Sequence, residues 1–138
     1  MFEKITVEIV TQKRIPEAWD VFTNPYFIVQ WNFASNDWHC PSAKNNLVEN
    51  GTFCYRMEST DGKTGFDFSG TYIKIDPYRE IIYELDDTRM VRVEFLEINK
   101  EVIVRETFDA EKVNQASHQK QGWQSILDNY KSVLEKNR

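Results

Sequence analysis

The stretch Gln115–Lys136, QASHQKQGWQSILDNYKSVLEK, sets Ala116, Gln119, Trp123, Ile126, Leu127, Tyr130, Val133 and Leu134 three or four residues apart. That spacing is the period of one face of an α-helix. Asn114 is placed to cap its start, the side-chain oxygen accepting from the first free backbone N–H groups. Lys131, Lys136 and Arg138 bring positive charge toward its end, where the helix dipole favours it. At about 1.5 Å per residue the helix is about 30 Å long and crosses a small domain. Its apolar stripe needs a sheet to lie against. Gly122 falls in mid-helix, where glycine costs about 1 kcal/mol relative to alanine. A close strand or a ligand is expected to need the space there.

Upstream of the helix the chain supplies that sheet. Phe2–Thr11 alternates, with Ile5, Val7 and Ile9 opposed by Thr6, Glu8 and Val10, and predicts a half-buried strand. The period then switches. Ile15, Ala18, Trp19 and Phe22 form a helical stripe with Pro16 in the first turn; Thr23-Asn24-Pro25 stops it, and Tyr26–Trp31 predicts a second short helix. Asn32–Asn50 is expected to be a long irregular connection carrying Phe33, Trp38, His39, Cys40 and Pro41, and such loops are often functional or mobile. Trp38 is costly to expose and is expected to cover something.

From Gly51 onward alternation and turn residues predict an antiparallel meander. Its strands are Thr52–Ser59, Phe66–Ile75, Glu80–Leu85, Met90–Ile98 and Glu101–Phe108, with turns at Asp61-Gly62-Lys63, Asp76-Pro77-Tyr78-Arg79, Asp86-Asp87 and Asn99-Lys100. The fold class that follows is α+β: a curved antiparallel sheet of about six to seven strands gripping the long C-terminal helix, with two short helices between strands 1 and 2. The second face of the sheet meets water.

Length and composition bound the function. The 138 residues suit one domain with one core, and nine Phe, six Tyr and four Trp supply rings that fill or line an interior. A formal charge of −5 argues against nucleic acid as a partner. Cys40 and Cys54 are not in a C-x-x-C spacing and are expected to be reduced, half-buried thiols. Neither a signal-peptide apolar block nor an apolar run of about 20 residues is present. A cytoplasmic protein, monomer or weak homodimer, without membrane insertion, is expected.

At this point several segments resemble a known family. They are Ile15-Pro16-Glu17-Ala18-Trp19-Asp20-Val21-Phe22-Thr23-Asn24-Pro25 with Trp31, Asn50-Gly51-Thr52-Phe53, the run Gly70–Pro77, Glu106-Thr107-Phe108-Asp109, and Gly122–Leu127. In this order they are similar to the proteins related to the activator of the heat-shock-protein-90 ATPase. Those belong to the START-like, helix-grip superfamily of polyketide cyclases and birch-pollen-allergen proteins. The resemblance covers nearly the whole chain and implies a deep apolar cavity between helix and sheet that holds a hydrophobic small molecule. The co-chaperone activity belongs to the eukaryotic namesake, which has an additional N-terminal domain, so direct chaperone stimulation is not expected. The family supplies no universal catalytic residue, and none is assigned.

The two periods point a set of side chains at one another as candidate cavity residues. They are Trp31, Phe33 and Trp38 before the meander; Phe53, Tyr55, Met57, Phe66, Phe68, Tyr72, Val91, Val93, Glu106 and Phe108 in it; and Gln119, Trp123 and Leu127 on the helix. Val104, Ile126 and Tyr130 share those faces. A filled core is the plain alternative; against it stand Gly70 and Gly122, and tyrosine hydroxyls that need partners when buried. Glu106 falls in phase with Val102, Val104 and Phe108. Turned inward, it has a raised pKa and is a candidate acid, base or ligand anchor; turned outward, it pairs with Arg92 or Arg105.

His39 and Cys40 lack the base and orienting partner that thiol catalysis needs. No metal site is assigned to His39, Cys40, Cys54 and His118, and no cofactor is expected. His118 is expected at the solvated side of the helix.

Three classes of function remain, with binding of a hydrophobic small molecule (lipid, isoprenoid or aromatic) taken as the reading. It requires an enclosed apolar cavity. A stress-related or co-chaperone-like protein-interaction domain requires a filled core and an exposed patch. A cyclase-, dehydrase- or hydrolase-type enzyme requires polar groups such as Glu106 and a Tyr hydroxyl converging inside the cavity.

Overall fold

The computed structural model describes residues 2–137, so Arg138 lies outside the described residues. Strand β1 (Lys4–Thr11) is followed by α1 (Ile15–Thr23) and α2 (Pro25–Trp31). Six further strands come next: β2 (Trp38–Asn45), β3 (Thr52–Ser59), β4 (Gly65–Asp76), β5 (Glu80–Leu85), β6 (Met90–Ile98) and β7 (Glu101–Asp109). Helix α3 (Ala116–Lys136) closes the chain. All seven strands pair antiparallel in the order β1-β7-β6-β5-β4-β3-β2. This is the α+β helix-grip arrangement that the two periods imply.

Alternation decides which side chains face α3. Ile5, Val7 and Ile9 are buried while Lys4, Thr6, Glu8 and Val10 point to water. Across the sheet the inward residues line up in rows: Ile5–Phe108–Val91–Tyr83–Tyr72, and beside it Val7–Glu106–Val93–Ile81–Ile75. The turns follow their residue chemistry. Asn99 and Lys100 both take positive φ (53° and 72°), as a two-residue hairpin requires. Asn24 ends α1 and begins α2, its side-chain oxygen accepting from the Tyr26 N–H at 3.0 Å.

Three expectations are corrected. The segment 32–50 is not wholly irregular, because Trp38–Asn45 pairs with β3 as the edge strand. Its register slips between His39 and Ser42, and the slip, with Pro41 inside it, breaks the alternation by which a strand is recognised. Asn114 does not cap α3. The N-cap is Gln115, without a side-chain hydrogen bond, while Asn114 is turned to Glu111. Gly122 is not a point of close approach either, since a Cβ built there meets nothing within 4 Å.

Gly70 is where space is needed. A Cβ there would stand 2.5 Å from the Glu84 carbonyl oxygen and 2.9 Å from the Phe53 ring, so only glycine lets that ring lie across β4. One residue pair later β4 bulges between Tyr72 and Lys74. The inward phase passes from Tyr72 to Ile75, and the sheet bends.

The helices lie toward opposite edges of this bent surface. α3 runs along β1, α2 packs on β2, and the two touch each other. Tyr130 donates its hydroxyl hydrogen to the Ala18 carbonyl at 2.6 Å, tying α3 to α1. Between the two helices the middle strands are left partly uncovered.

Candidate functional site

That gap is a half-enclosed cavity of ≈ 240 Å³. α1 and α2 contribute Phe22, Thr23, Trp31 and Asn32. Strands β3 to β5 contribute Phe53, Tyr55, Met57, Phe66, Phe68, Tyr72, Ile81 and Tyr83. Arg89 comes from the β5–β6 turn, Glu106 from β7, and Trp123 and Ile126 from α3. A void of about 150 Å³ already accepts benzene in a protein core. The walls are mostly apolar with a few placed polar groups, the general make-up of a ligand pocket.

The candidate residues divide. Trp31, Phe53, Tyr55, Met57, Phe66, Phe68, Tyr72, Glu106 and Trp123 border the space together. Val91, Val93, Phe108 and Leu127 do not; they are fully buried in solid packing. Phe108 is inward-facing but covered, because the Trp123 indole stacks on it with ring centroids 3.9 Å apart and planes 10° from parallel. Trp38 sits one layer out, edge-on against Phe66 at 5.6 Å. Phe33 packs beside the core, and its backbone carbonyl accepts from Asn129 Nδ2 at 2.6 Å.

Gln119 has another occupation. Its Oε1 accepts from the Glu111 N–H at 2.8 Å, and its Nε2 donates to the carbonyls of Glu111 and Asn114 at 3.0 and 2.8 Å. It clamps the loop before α3.

Phe22, Thr23, Asn32, Ile81, Tyr83 and Arg89 join the wall without having been singled out from the sequence. Ile81 and Tyr83 were within reach of β5's alternation. Arg89 follows a turn and carries no periodic signal.

Glu106 dominates the electrostatics. It faces inward, 6% exposed, and among the described residues no donor reaches its carboxyl and no cation pairs with it. Burial alone pushes it up to about 8. It is therefore largely the neutral acid at pH 7. Burial also pushes the phenols of Tyr83 and Tyr130 well up, with the Glu106 charge adding to both. Burial takes Tyr72 up to about 12 against hydrogen bonds to Tyr55 and Asn45; its hydroxyl donates to Asn45 Oδ1 at 2.6 Å.

Arg89 is already engaged, its Nε 2.8 Å from Asp87 Oδ2 and its Nη1 donating to the Asp109 carbonyl at 3.4 Å. Burial works to raise Asp109, but hydrogen bonds from Lys4 and the Met90 N–H outweigh it and hold that carboxyl below its ordinary value.

The thiol and imidazole groups stay away from the cavity wall. Cys40 is buried with its thiol donating to the Ser42 carbonyl at 3.4 Å, Cys54 is half-buried, and both are free. His39 and His118 are exposed. Among the described residues no three His, Cys, Asp or Glu side chains come together as metal ligands, and no helix is long and apolar enough to cross a membrane.

The comparisons agree with the fold. The family model described as Activator of Hsp90 ATPase homolog 1-like protein matches residues 13–135. The solution structure of an AHSA1-like protein from Aeromonas hydrophila is 36% identical, with 96% of this chain and 93% of that one covered at a TM-score of 0.87. The solution structure of Chr148 from Cytophaga hutchinsonii is 38% identical over 97% and 93%, with a TM-score of 0.85. Protein CV1439 from Chromobacterium violaceum shares the fold at 14% identity, with a TM-score of 0.86 over 96% and 98%. No curated protein matches the chain.

Proposed function

Because this chain belongs to the Activator of Hsp90 ATPase homolog 1-like family, a helix-grip family, we propose that it binds a hydrophobic small molecule in the cavity between α3 and the sheet. The observation that carries this is the ≈ 240 Å³ space itself, walled by aromatic and aliphatic side chains. A protein-interaction domain has no need of such a void and is served by a filled core. The size favours an aromatic or a short isoprenoid over a whole lipid, whose chains would not be covered. Cytoplasmic binding by a monomer or weak homodimer goes with this proposal.

The test is native mass spectrometry of gently purified protein, followed by thermal shift against a panel of uncharged aromatics and isoprenoids. A co-purified adduct, or stabilisation that grows with concentration, is expected, since a ligand bound only to the folded state raises its stability by mass action. Absence of adducts together with no shift across the panel overturns the proposal.

A second possibility has one observation behind it. Glu106 and the Tyr83 hydroxyl, neither with a protein partner among the described residues, share the cavity. A proton-transferring enzyme needs such a pair. Conversion of the co-purified molecule by wild-type protein but not by Glu106→Gln would bring that reading forward.

A further inference from the structure

Glu106 stands in the middle of β7, between Val7 on β1 and Val93 on β6, and lines the cavity. It is 6% exposed, and among the described residues nothing donates to it. No buried side-chain oxygen or nitrogen among the described residues is both sealed from solvent and unpaired, so its oxygens open into the cavity. An unpartnered polar group in apolar surroundings is costly. The protein supplies no partner, so a ligand would have to.

Two ligand chemistries answer a carboxyl: an acceptor for the neutral acid, or a cation for the carboxylate. The rest of the wall chooses between them. Trp31, Phe53, Phe68, Tyr83 and Trp123 present rings, and ring faces attract cations. An anionic ligand would face Glu106, and Arg89, the cation on the wall, already gives its Nε to Asp87 and its Nη1 to the Asp109 carbonyl. The same Asp87 contact offsets the charge that Arg89 would otherwise turn on a cation. The net charge of −5 draws cations to the protein. Ionised hydrogen-bond pairs are about twice as strong as neutral ones.

We infer that the cavity takes a hydrophobic molecule carrying one protonated amine, with Glu106 as its counter-ion. This rests on the cavity-binding function proposed above and narrows its ligand class.

A proton is displaced when the pair forms. Glu106 starts largely as the neutral acid, its carboxyl pushed up to about 8 by burial, so at pH 7 ionising it costs about a tenfold factor in affinity. The ammonium keeps its own protons, and the Glu106 proton leaves to solvent. The other titratable groups turned toward this space are Tyr55 on β3, Tyr72 on β4, Tyr83 on β5 and Arg89 on the β5–β6 turn; Tyr130 on α3 does not line it, its hydroxyl being held by the Ala18 carbonyl. β1 and β6 offer only Val7 and Val93 beside Glu106. With the phenols raised, Glu106 is the group facing this space that titrates near pH 8.

The experiment is isothermal titration calorimetry of the full chain with tryptamine, 3-ethylindole and indole-3-acetate, matched in ring and differing in charge. Expected is tryptamine at least tenfold tighter than either, with release of about nine-tenths of a proton at pH 7 when phosphate and Tris buffers are compared. Tryptamine affinity should rise toward pH 8 while 3-ethylindole stays level, and Glu106→Gln should bring the tryptamine preference down to about one.

3-Ethylindole or indole-3-acetate binding wild-type protein as well as tryptamine does, or tryptamine binding without proton release, overturns the inference and leaves cavity binding standing. Failure of tryptamine while neutral aromatics of the panel bind does the same. Failure of all three together with silence across that panel overturns both. The proton count is made on wild-type protein and does not depend on how the variant folds.

Discussion

Replacing Glu106 by Gln should make the protein more stable, and by an amount that depends on pH in a defined way. In the unfolded chain a glutamate loses its proton near 4.5; in the fold Glu106 keeps it to about 8. Between these values the folded state binds more protons than the unfolded one, so stability falls as pH rises. The slope approaches about 1.4 kcal/mol per pH unit, so from pH 5 to 8 the loss is on the order of 3 to 4 kcal/mol. Below 4.5 the acid is neutral in both states and its contribution is fully present. Above 8 it is ionised in both and the loss is complete. The amide has nearly the same shape and cannot ionise, so the stability of Glu106→Gln minus that of wild type should be level in acid, widen through neutrality and level off again near pH 9. Every other titrating group, Asp109 included, is common to both proteins and cancels. Urea unfolding followed by tryptophan fluorescence at unit steps from pH 4 to 9 measures the difference directly. Parallel stability curves across pH 5 to 8 would refute the reasoning, and a difference that narrows with pH would mean an ionised, paired Glu106.

Two further substitutions probe the long helix. Gly122→Ala should raise stability by about 1 kcal/mol and Tm by about 3 °C, because the added methyl enters open space and restrains the unfolded chain; a lower Tm in a calorimetric scan would show that the position is needed bare. Gln119→Ala removes all three hydrogen bonds that hold Glu111 and Asn114 to α3. It should cost about 2 kcal/mol in urea unfolding and speed amide exchange over residues 110–116, water replacing only part of what is lost; unchanged exchange there would remove Gln119 from this role.

How much of this was legible depended on what each residue's neighbours do to a period. β3, β5 and β6 have the boundaries that alternation and turn residues assign, because each strand is flanked by residues that cannot continue it. β2 escaped because its register slips at Cys40 and Pro41, so no alternation survives in Trp38–Asn45. In the cavity a period of two tells which face a side chain takes, not whether anything stands opposite. Val93 and Glu106 are partners in register on one face, yet Glu106 borders space and Val93 is packed solid. Gln119 has the right phase for the cavity, but its amide matches a bare stretch of loop backbone and turns there. What sorts these cases is where α3 lies, against β1, α2 and α1, and that position is set by contacts far apart in sequence.

Those contacts also explain why the space stays open. α3 meets the sheet through the Trp123 indole stacked on Phe108 at 3.9 Å, so it stands a ring's thickness above β7 rather than on its backbone. Farther along, Tyr130 is held edge-on between Phe22 and Trp31, at 5.3 Å from each, with its hydroxyl on the Ala18 carbonyl. Flat rings at two points make props of fixed thickness. The strands between the props could still fill the gap with larger side chains, as aromatic-rich β3 and β4 show they can. Instead β7 places an acid there. Closing the wall over Glu106 would take its carboxyl from partial contact with the cavity to none, at the full desolvation cost of an unpaired group. Rigid props and an acid that resists covering work in the same direction: both keep a cavity that packing alone would close, and the void and its unpaired acid lower the stability of the fold. Such a combination is expected where a fold departs from its own packing rules for the sake of a ligand.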